Sequence, residues 1–516
     1  MSKKILSFEY APIIALLILC LIVGVATLSD YGESWDEPPI YNYADYSLQA
    51  YQYILHPQDL QLFPTFSMNL NVYGPAYFML ADVSSKMIRL LDPSLSVITI
   101  WHFVYFSTFL TSILLLYLLS RRWMSKWAAF GAALLFTSQP LIWGHSFMNP
   151  KDLPFMVFFL ASIYFGLQML DVSPKSKWKW LIPAGIILGL TISIRVIGPL
   201  AGLIVLVYAV IKFPRKILTT ILYYSLIAGI TTYLTWPYLW KSPITNFINS
   251  IKVMSDFPET ALVLFMGRLY PANQLPRRFF PTVIVLQLTE PALILITIGF
   301  VVSLWLFIQG KNRESILLFA GWFLAPALWI MLSHSVLYDN ARQLLFLWPP
   351  LFMLAGLGID QLMTVFKLPV LNAALLIVMA LPGIYAGIQL HPYEYIYYNS
   401  LIGGVPGAYR KFELDYWATS FQKSIQYINE NAETGATIAM ALGSRQVVQE
   451  YARPDLSIGV TNSLNVPQDR PYFILSSTRA NQDLTYCQKV KIAFAVQREG
   501  ALLSYVKQVA PGRTCR

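Results

Sequence analysis

Eleven apolar runs, each near the length that crosses a bilayer, leave this chain few ways to fold. They fall at 11–28, 97–119, 127–144, 153–170, 180–195, 197–212, 217–236, 284–308, 316–333, 343–360 and 370–390, and about 20 apolar residues make one span. With 56% of its 516 residues hydrophobic and only 12% charged, the chain has too little polar surface to clothe a water-soluble body of this size. The expected fold class is an α-helical polytopic membrane protein. Arg195 and the Gly198-Pro199 step make the only break between the fifth and sixth runs. The first run follows Lys3-Lys4 and has the outline of a signal peptide. It continues to Leu28 with no small-residue cleavage site, so a retained helix is expected.

Basic residues set the orientation. With Lys3-Lys4 cytoplasmic, alternation puts Arg121-Arg122-Lys126, Lys175-Lys177-Lys179, Lys212-Arg215-Lys216, Lys311-Arg313 and Lys367 on the same side. The net charge of +10 is thus spent on short cytoplasmic loops rather than on a groove for a polyanion, and no nucleic-acid partner is expected. The opposite side receives residues 29–96, a turn at 145–152, the Arg195 corner, the loop 237–283, the turn 334–342 and everything after His391.

Two domains are expected: a membrane domain over 1–390, and a small α/β domain of about 120 residues over 391–516, a size that folds alone. In the first outer loop, 41–55 and 76–91 mix apolar and polar residues as interfacial helices do, with a turn at Tyr73-Gly74-Pro75 between them. In the tail, 421–431 reads as an amphipathic helix, and 437–441 and 472–475 read as strands. Cys20 lies in the first apolar run; Cys487 and Cys515 lie in the tail and would pair if it faces an oxidising compartment. Neither internal repeats, nor a Gly-rich phosphate loop, nor metal-type Cys/His spacing is evident.

Unusual polar residues gather on the outer side. Directly after the first span comes Asp30-Tyr31-Gly32-Glu33-Ser34-Trp35-Asp36-Glu37-Pro38-Pro39, with four acids in eight residues. Carboxylates beside hydrocarbon are costly and usually functional. Pro38-Pro39 fixes the backbone next to the Asp36-Glu37 pair, and Trp35 suits the headgroup level or the face of a sugar. The same side holds His145 to Asp152, Arg195, Arg268, Arg277-Arg278, and the turn His334 to Arg342 with Tyr338 and Asp339. Carboxylates and cations converging on a wet cavity suit a substrate with a phosphate and a group to be transferred. Arg presents a planar fork to phosphate oxygens, Lys a point charge, and a carboxylate can take a proton from an incoming nucleophile. Other roles stay open: Asp152 as the cap of the helix that follows, His145 as an interfacial hydrogen-bonding group, and Arg268, Arg277 and Arg278 as lipid-headgroup contacts, the last two above all. Arg195, alone in an apolar stretch, requires a partner.

These features resemble the membrane glycosyltransferases of the GT-C fold, specifically the family 39 group of protein O-mannosyltransferases and lipid A aminoarabinose transferases. The resemblance is carried by Trp35-Asp36-Glu37 in the first outer loop, Asn149-Pro150-Lys151-Asp152 before the fourth span, and Tyr338-Asp339 with Arg342 before Pro349-Pro350. The segment His391 to Asn399, with Gly403-Gly404 and Asp415-Tyr416-Trp417, is similar to tails of bacterial members. It implies transfer of a sugar from a polyprenyl-phosphate donor to a lipid, glycan or protein acceptor on the outer face, with inversion. Asp36 would be the general base and Glu37 would position acceptor or sugar. Lys151, Arg195 and Arg342 would hold the lipid phosphate. The aromatic first loop and Tyr393 to Tyr398 would guide isoprenoid or sugar, although an interfacial belt is the simpler expectation for the tyrosines. The tail after Trp417 departs from the β-trefoil of the eukaryotic protein mannosyltransferases, so a protein acceptor is not implied. The expected location is a bacterial inner membrane with the site on the periplasmic side.

Two alternatives accompany this reading. One is a lipid or ion transporter or flippase, which the lack of repeats and of matched broken helices argues against. The other keeps the transferase and adds a divalent metal on Asp36 and Asp152, since hard cations take oxygen ligands; otherwise no cofactor is required.

Overall fold

The computed structural model describes residues 3–56, 67–171, 177–212, 218–255, 257, 261–311, 313–333, 335–365, 369–460, 471–485 and 487–511. His334, Lys175, Arg215, Lys216, Lys367 and Cys515 lie outside the described residues. Among those described, eight helices are long and apolar enough to cross a membrane, and three shorter apolar helices, Lys126–Thr137, Trp178–Ile192 and Pro199–Lys212, join them. The chain is a multi-span helical membrane protein.

Burial sorts the helices by role. Val97–Ser120, Asp152–Asp171 and Asp339–Val365 are 61%, 72% and 89% buried, whereas Leu218–Thr235 and Pro369–Leu390 are 22% and 17% buried. The outer helices turn Leu, Ile and Val outward, as lipid allows, and the inner ones carry polar groups at one end. Between the helices Glu290–Ile308 and Trp348–Val365, a Cβ at Gly299 would stand 1.8 Å from the Leu354 carbonyl oxygen. Only glycine allows that approach.

Two expected spans are interrupted. The run 127–144 breaks at Ser138-Gln139 and restarts as Pro140–Met148, and the run 284–308 breaks at Leu288-Thr289 and restarts at Glu290. In each, a proline stands at the start of the new helix, where its missing N–H costs nothing. The two breaks satisfy each other: the Thr289 N–H donates to Gln139 Oε1 at 3.0 Å, and Gln139 Nε2 donates to Thr289 Oγ1 at 2.9 Å. A third departure precedes the span expected at 343–360. Asp339 to Leu347 is a tight, kinked turn with φ of 49°, 58° and 59° at Asp339, Asn340 and Ala341, and the regular helix begins at Trp348.

The long segments expected on one side of the membrane also take defined folds. Glu37–Gln49 and Ala76–Leu91 are helices, close to the expected 41–55 and 76–91. A short hairpin, β1 (Leu262–Phe265) with β2 (Arg268–Pro271), lies in the long loop 237–283. The tail forms a five-stranded mixed sheet, β3 (Thr437–Leu442), β4 (Ser457–Val460), β5 (Tyr472–Ser477), β6 (Ile492–Arg498) and β7 (Ala501–Val509), in the order β4-β3-β5-β7-β6. The helix Phe421–Asn431 packs on it through Phe421, Ile425 and Ile428. Val496, Ala501 and Leu503 join the same buried apolar cluster as the membrane helices. Cys487 is disulfide-bonded and Cys20 is free and buried.

The run Tyr393 to Tyr398 corrects an expectation. Rather than an interfacial belt, Tyr393, Tyr395, Tyr397 and Tyr398 are buried inside the protein, between the helix Pro140–Met148 and the tail. Two of their hydroxyls bond inside the protein, Tyr395 to Asp415 and Thr419, and Tyr398 to Asn340 at 2.9 Å. A buried phenol needs such a partner; the tail supplies it for Tyr395 and the 339–347 turn for Tyr398.

Candidate active site

Asp36 ends the extended segment after the first span and directly precedes the helix Glu37–Gln49, whose first turn contains Pro38 and Pro39. Its carboxylate is 1% exposed. Lys151 Nζ lies 2.9 Å and Arg342 Nη2 3.0 Å from it. Burial pushes the Asp36 carboxyl up, but the Lys151 ammonium and the Arg342 guanidinium outweigh burial and hold it below the usual carboxylate range. Among the described residues neither Asp36 oxygen completes a hydrogen bond of good angle. It is a charged, paired carboxylate with lone pairs to spare.

The Asn149 to Asp152 turn delivers two further groups. Asn149 Oδ1 accepts the N–H groups of Lys151 and Asp152 at 3.1 and 2.8 Å. It therefore does the work of capping the next helix, and Asp152 is not the cap. The Asp152 carboxylate instead receives Arg342 Nη1 at 2.6 Å and the Arg195 guanidinium. Arg195 thus has the partner its position demanded, and it lies 5.7 Å from the centre of the Tyr73 ring.

Arg342 joins the two halves. Its third nitrogen, Nε, faces Asp339 at 3.3 Å, so each nitrogen of the fork addresses a different carboxylate. The rings of Tyr338 and Trp417 flank it at 5.4 and 4.8 Å. The left-handed turn that aims it is held by Asn340, whose Nδ2 donates to the Glu413 carbonyl at 2.9 Å. Non-glycine residues in this conformation cost free energy and persist where surrounding contacts over-determine them. A small cavity of about 10 Å³, room for one water, opens beside Arg342 between His145, Gln287, Asn340 and Tyr416.

Other candidates lie apart from this cluster. Glu37 is fully buried and taken up by its surroundings: Ser34 N–H at 2.7 Å, Ser34 Oγ at 2.9 Å, Tyr41 Oη at 3.2 Å and His102 Nε2 at 3.1 Å. Next to it Glu33 is pushed up to about 9 by burial and by the negative charges of Glu37 and Glu450. His145 is buried, not interfacial, and bonds Asn149 at 2.9 Å and Tyr416 at 3.1 Å. Arg268, Arg277 and Arg278 are exposed on and beside the β1-β2 hairpin. Among the described residues no group of three His, Cys, Asp or Glu is arranged to hold a metal ion. Asp36 and Asp152 face cations instead.

Sequence reasoning missed Arg479. It follows β5 in the tail, donates from Nη2 to Asp339 Oδ1 at 2.9 Å, and lies 4.8 Å from the centre of the Trp35 ring. No local signal marks it, since a lone Arg in a polar tail is unremarkable. It also missed Tyr73 and His102, which sit in aromatic and apolar surroundings typical of packing.

The chain is a many-span helical membrane body with a buried, mixed-charge cluster at one end and a sheet domain in its tail. Residues 86–240 match the model of the family described as dolichyl-phosphate-mannose-protein mannosyltransferase. The segment contains Lys151, Asp152 and Arg195 but neither Asp36 nor Arg342. The fold is similar over nearly its whole length to ArnT from Cupriavidus metallidurans, with TM-score 0.56 and 14% identity over 96% of this chain and 97% of that one in the apo state. The same protein bound to undecaprenyl phosphate gives 0.53 and 13% over the same shares. The Archaeoglobus fulgidus oligosaccharyltransferase gives 0.53 and 12% over 90% of this chain and 66% of that one. No curated protein matches the chain in sequence.

Proposed function

We propose that this protein transfers a sugar from a polyprenyl-phosphate donor to an acceptor hydroxyl or amine, with inversion and with Asp36 as general base. The observation that carries the reading is the Asp36 carboxylate, buried and ionised between Lys151 and Arg342 with lone pairs left over. Four cations, Lys151, Arg195, Arg342 and Arg479, meet three carboxylates, Asp36, Asp152 and Asp339. The surplus positive charge suits one anionic headgroup. Undecaprenyl phosphate bound to the similar ArnT supports the choice of donor.

Charge competition gives the sequence of events. The donor phosphate draws Lys151 and Arg342 toward itself, and Asp36, relieved of part of their pull, rises in basicity where the acceptor arrives. The acceptor oxygen or nitrogen loses its proton to Asp36 as it attacks the anomeric carbon. The bond from that carbon to the phosphate oxygen breaks, and the leaving phosphate takes the electron pair. Lys151, Arg195 and Arg342 stabilise that developing anion. On this reading the carboxylates that could hold a divalent ion, Asp36 and Asp152, are already paired with cations, and no metal is required.

One helix supports the proposed sidedness. Asp152 and Asp171 end the same helix, about 30 Å apart at 1.5 Å per residue. Asp152 belongs to the site, whereas Asp171 pairs with Arg122 and Lys212 of the basic loops. With the basic loops cytoplasmic, the site and tail face outward, the periplasm in a bacterial inner membrane. The disulfide at Cys487 accords with an oxidising compartment there.

The test is transfer or hydrolysis of labelled sugar from a polyprenyl-phosphate hexose by the purified protein. Absence of turnover with a panel of such donors, together with lipid translocation in liposomes, would replace the transferase by a flippase.

A further inference from the structure

The tail sheet ends β5 at Ser477, and the chain then turns toward the membrane domain. Three bonds hold this turn: the Thr478 N–H donates to the Leu503 carbonyl at 3.0 Å, the Arg479 N–H to Ser477 Oγ at 3.1 Å, and the Ala480 N–H to the Glu413 carboxylate at 3.1 Å. Ala480 and Asn481 take φ of 50° and 55°, and Arg410 clamps the far end of the turn through Asn481 at 3.1 Å and Asp483 at 2.5 Å. The backbone beneath Arg479 is therefore fixed on both sides. From that base its guanidinium lies over Trp35, the neighbour of Asp36, and donates to Asp339 Oδ1 at 2.9 Å.

Asp339 is 2% exposed and shares its other oxygen with Arg342 Nε at 3.3 Å. Without Arg479 its whole negative charge would act on Arg342 and pull that fork away from Asp36 and Asp152. We propose that Arg479 is a positioning residue: by neutralising Asp339 it keeps Arg342 on Asp36 and Asp152, so the tail sheet is a working part of the active site. The activity readouts below rest on the transferase reading; the structural readout does not.

Arg479→Ala, Arg479→Lys, Asp339→Asn and the double variant Arg479→Ala with Asp339→Asn form the test. Arg479→Ala is expected to lower kcat about 10- to 100-fold, as the loss of a group that orients a functional side chain commonly does. Arg479→Lys should recover part of it, restoring charge without the fork. The double variant should match Asp339→Asn alone, because with no charge on residue 339 there is nothing left to neutralise. In a structure of the Arg479→Ala protein, or of Arg479→Lys if that variant alone folds, Arg342 should move toward Asp339 and away from Asp36, by less in the lysine protein. Full activity of Arg479→Ala, losses that multiply in the double variant, or Arg342 contacts unchanged from wild type would overturn the proposal. An inactive wild type would count against the transferase reading alone, and the structural comparison would still decide the role of Arg479.

Discussion

The Arg342 guanidinium stands 3.0 Å from the Asp36 carboxylate, joining the loop after the first span to the turn before the penultimate one. Each has further partners, Asp36 the Lys151 ammonium and Arg342 the carboxylates of Asp152 and Asp339. Removing Asp36 leaves Arg342 and Lys151 buried with one carboxylate fewer, so the chemistry and the local charge balance are lost together.

Asp36→Asn should therefore lower sugar transfer by about 100- to 10,000-fold, the range for loss of a general base. The shape and approximate volume of the side chain are kept, and size-exclusion and circular dichroism profiles should match wild type. An Asn variant with wild-type turnover would remove Asp36 from its role.

Asp152 bears on stability more than on proton transfer. It sits between Arg195 and Arg342, and Asp152→Ala takes from Arg195 its carboxylate partner and from Arg342 one of three. A loss of about 3–5 kcal/mol is expected for breaking such a buried pair. Thermal unfolding in detergent should show it as a clear fall in midpoint, whereas Arg268→Ala, on an exposed strand, should leave the midpoint in place.

Glu413 predicts a pH dependence of stability. Burial pushes its carboxyl up to about 7 from an ordinary 4.5, against the lowering effect of Arg479 and of two backbone N–H groups, Leu264 and Ala480. The folded state thus holds a proton that the unfolded state has released. Its contribution is complete below pH 4.5 and is lost as pH rises through about 7. Glu413→Gln should flatten that part of the stability curve, read as unfolding midpoints from pH 4.5 to 8; an unchanged slope would show that Glu413 is not its source.

Close helix packing makes its own prediction. Gly299→Ala places a methyl group against the Leu354 carbonyl and should cost about 1–3 kcal/mol, as overpacking does. Gly229→Ala, where a Cβ meets nothing within 4 Å, should be neutral on the same unfolding assay.

Sidedness can be read by labelling. Cysteines at Arg268 and Glu430, both exposed on the outer segments, should react with an impermeant reagent in intact cells, and one at Lys311 should not. Chelators should leave transfer unaffected, because cations already occupy the carboxylates.

The spans were legible because a bilayer imposes length and apolarity on each segment separately; Val97–Ser120 and Pro369–Leu390 lie within one residue of their expected ends. Helix breaks at Ser138-Gln139 and Leu288-Thr289 were not, because their backbone groups are satisfied by one another across the fold. Asp36, Lys151, Asp152, Arg195 and Arg342 stood out singly, since charge next to hydrocarbon is costly wherever it occurs.

The sequence by itself determined the membrane-spanning class, the alternation of basic loops, and which charged residues needed an explanation, all properties of short segments in a known solvent. Tertiary structure alone decided the pairings: Arg195 with Asp152, Arg342 with three aspartates, Glu37 with His102 instead of the cluster, and Arg479 reaching in from the tail. A pairing is a distance between residues far apart in the chain, and no local pattern encodes the energy of two charges meeting in a buried place.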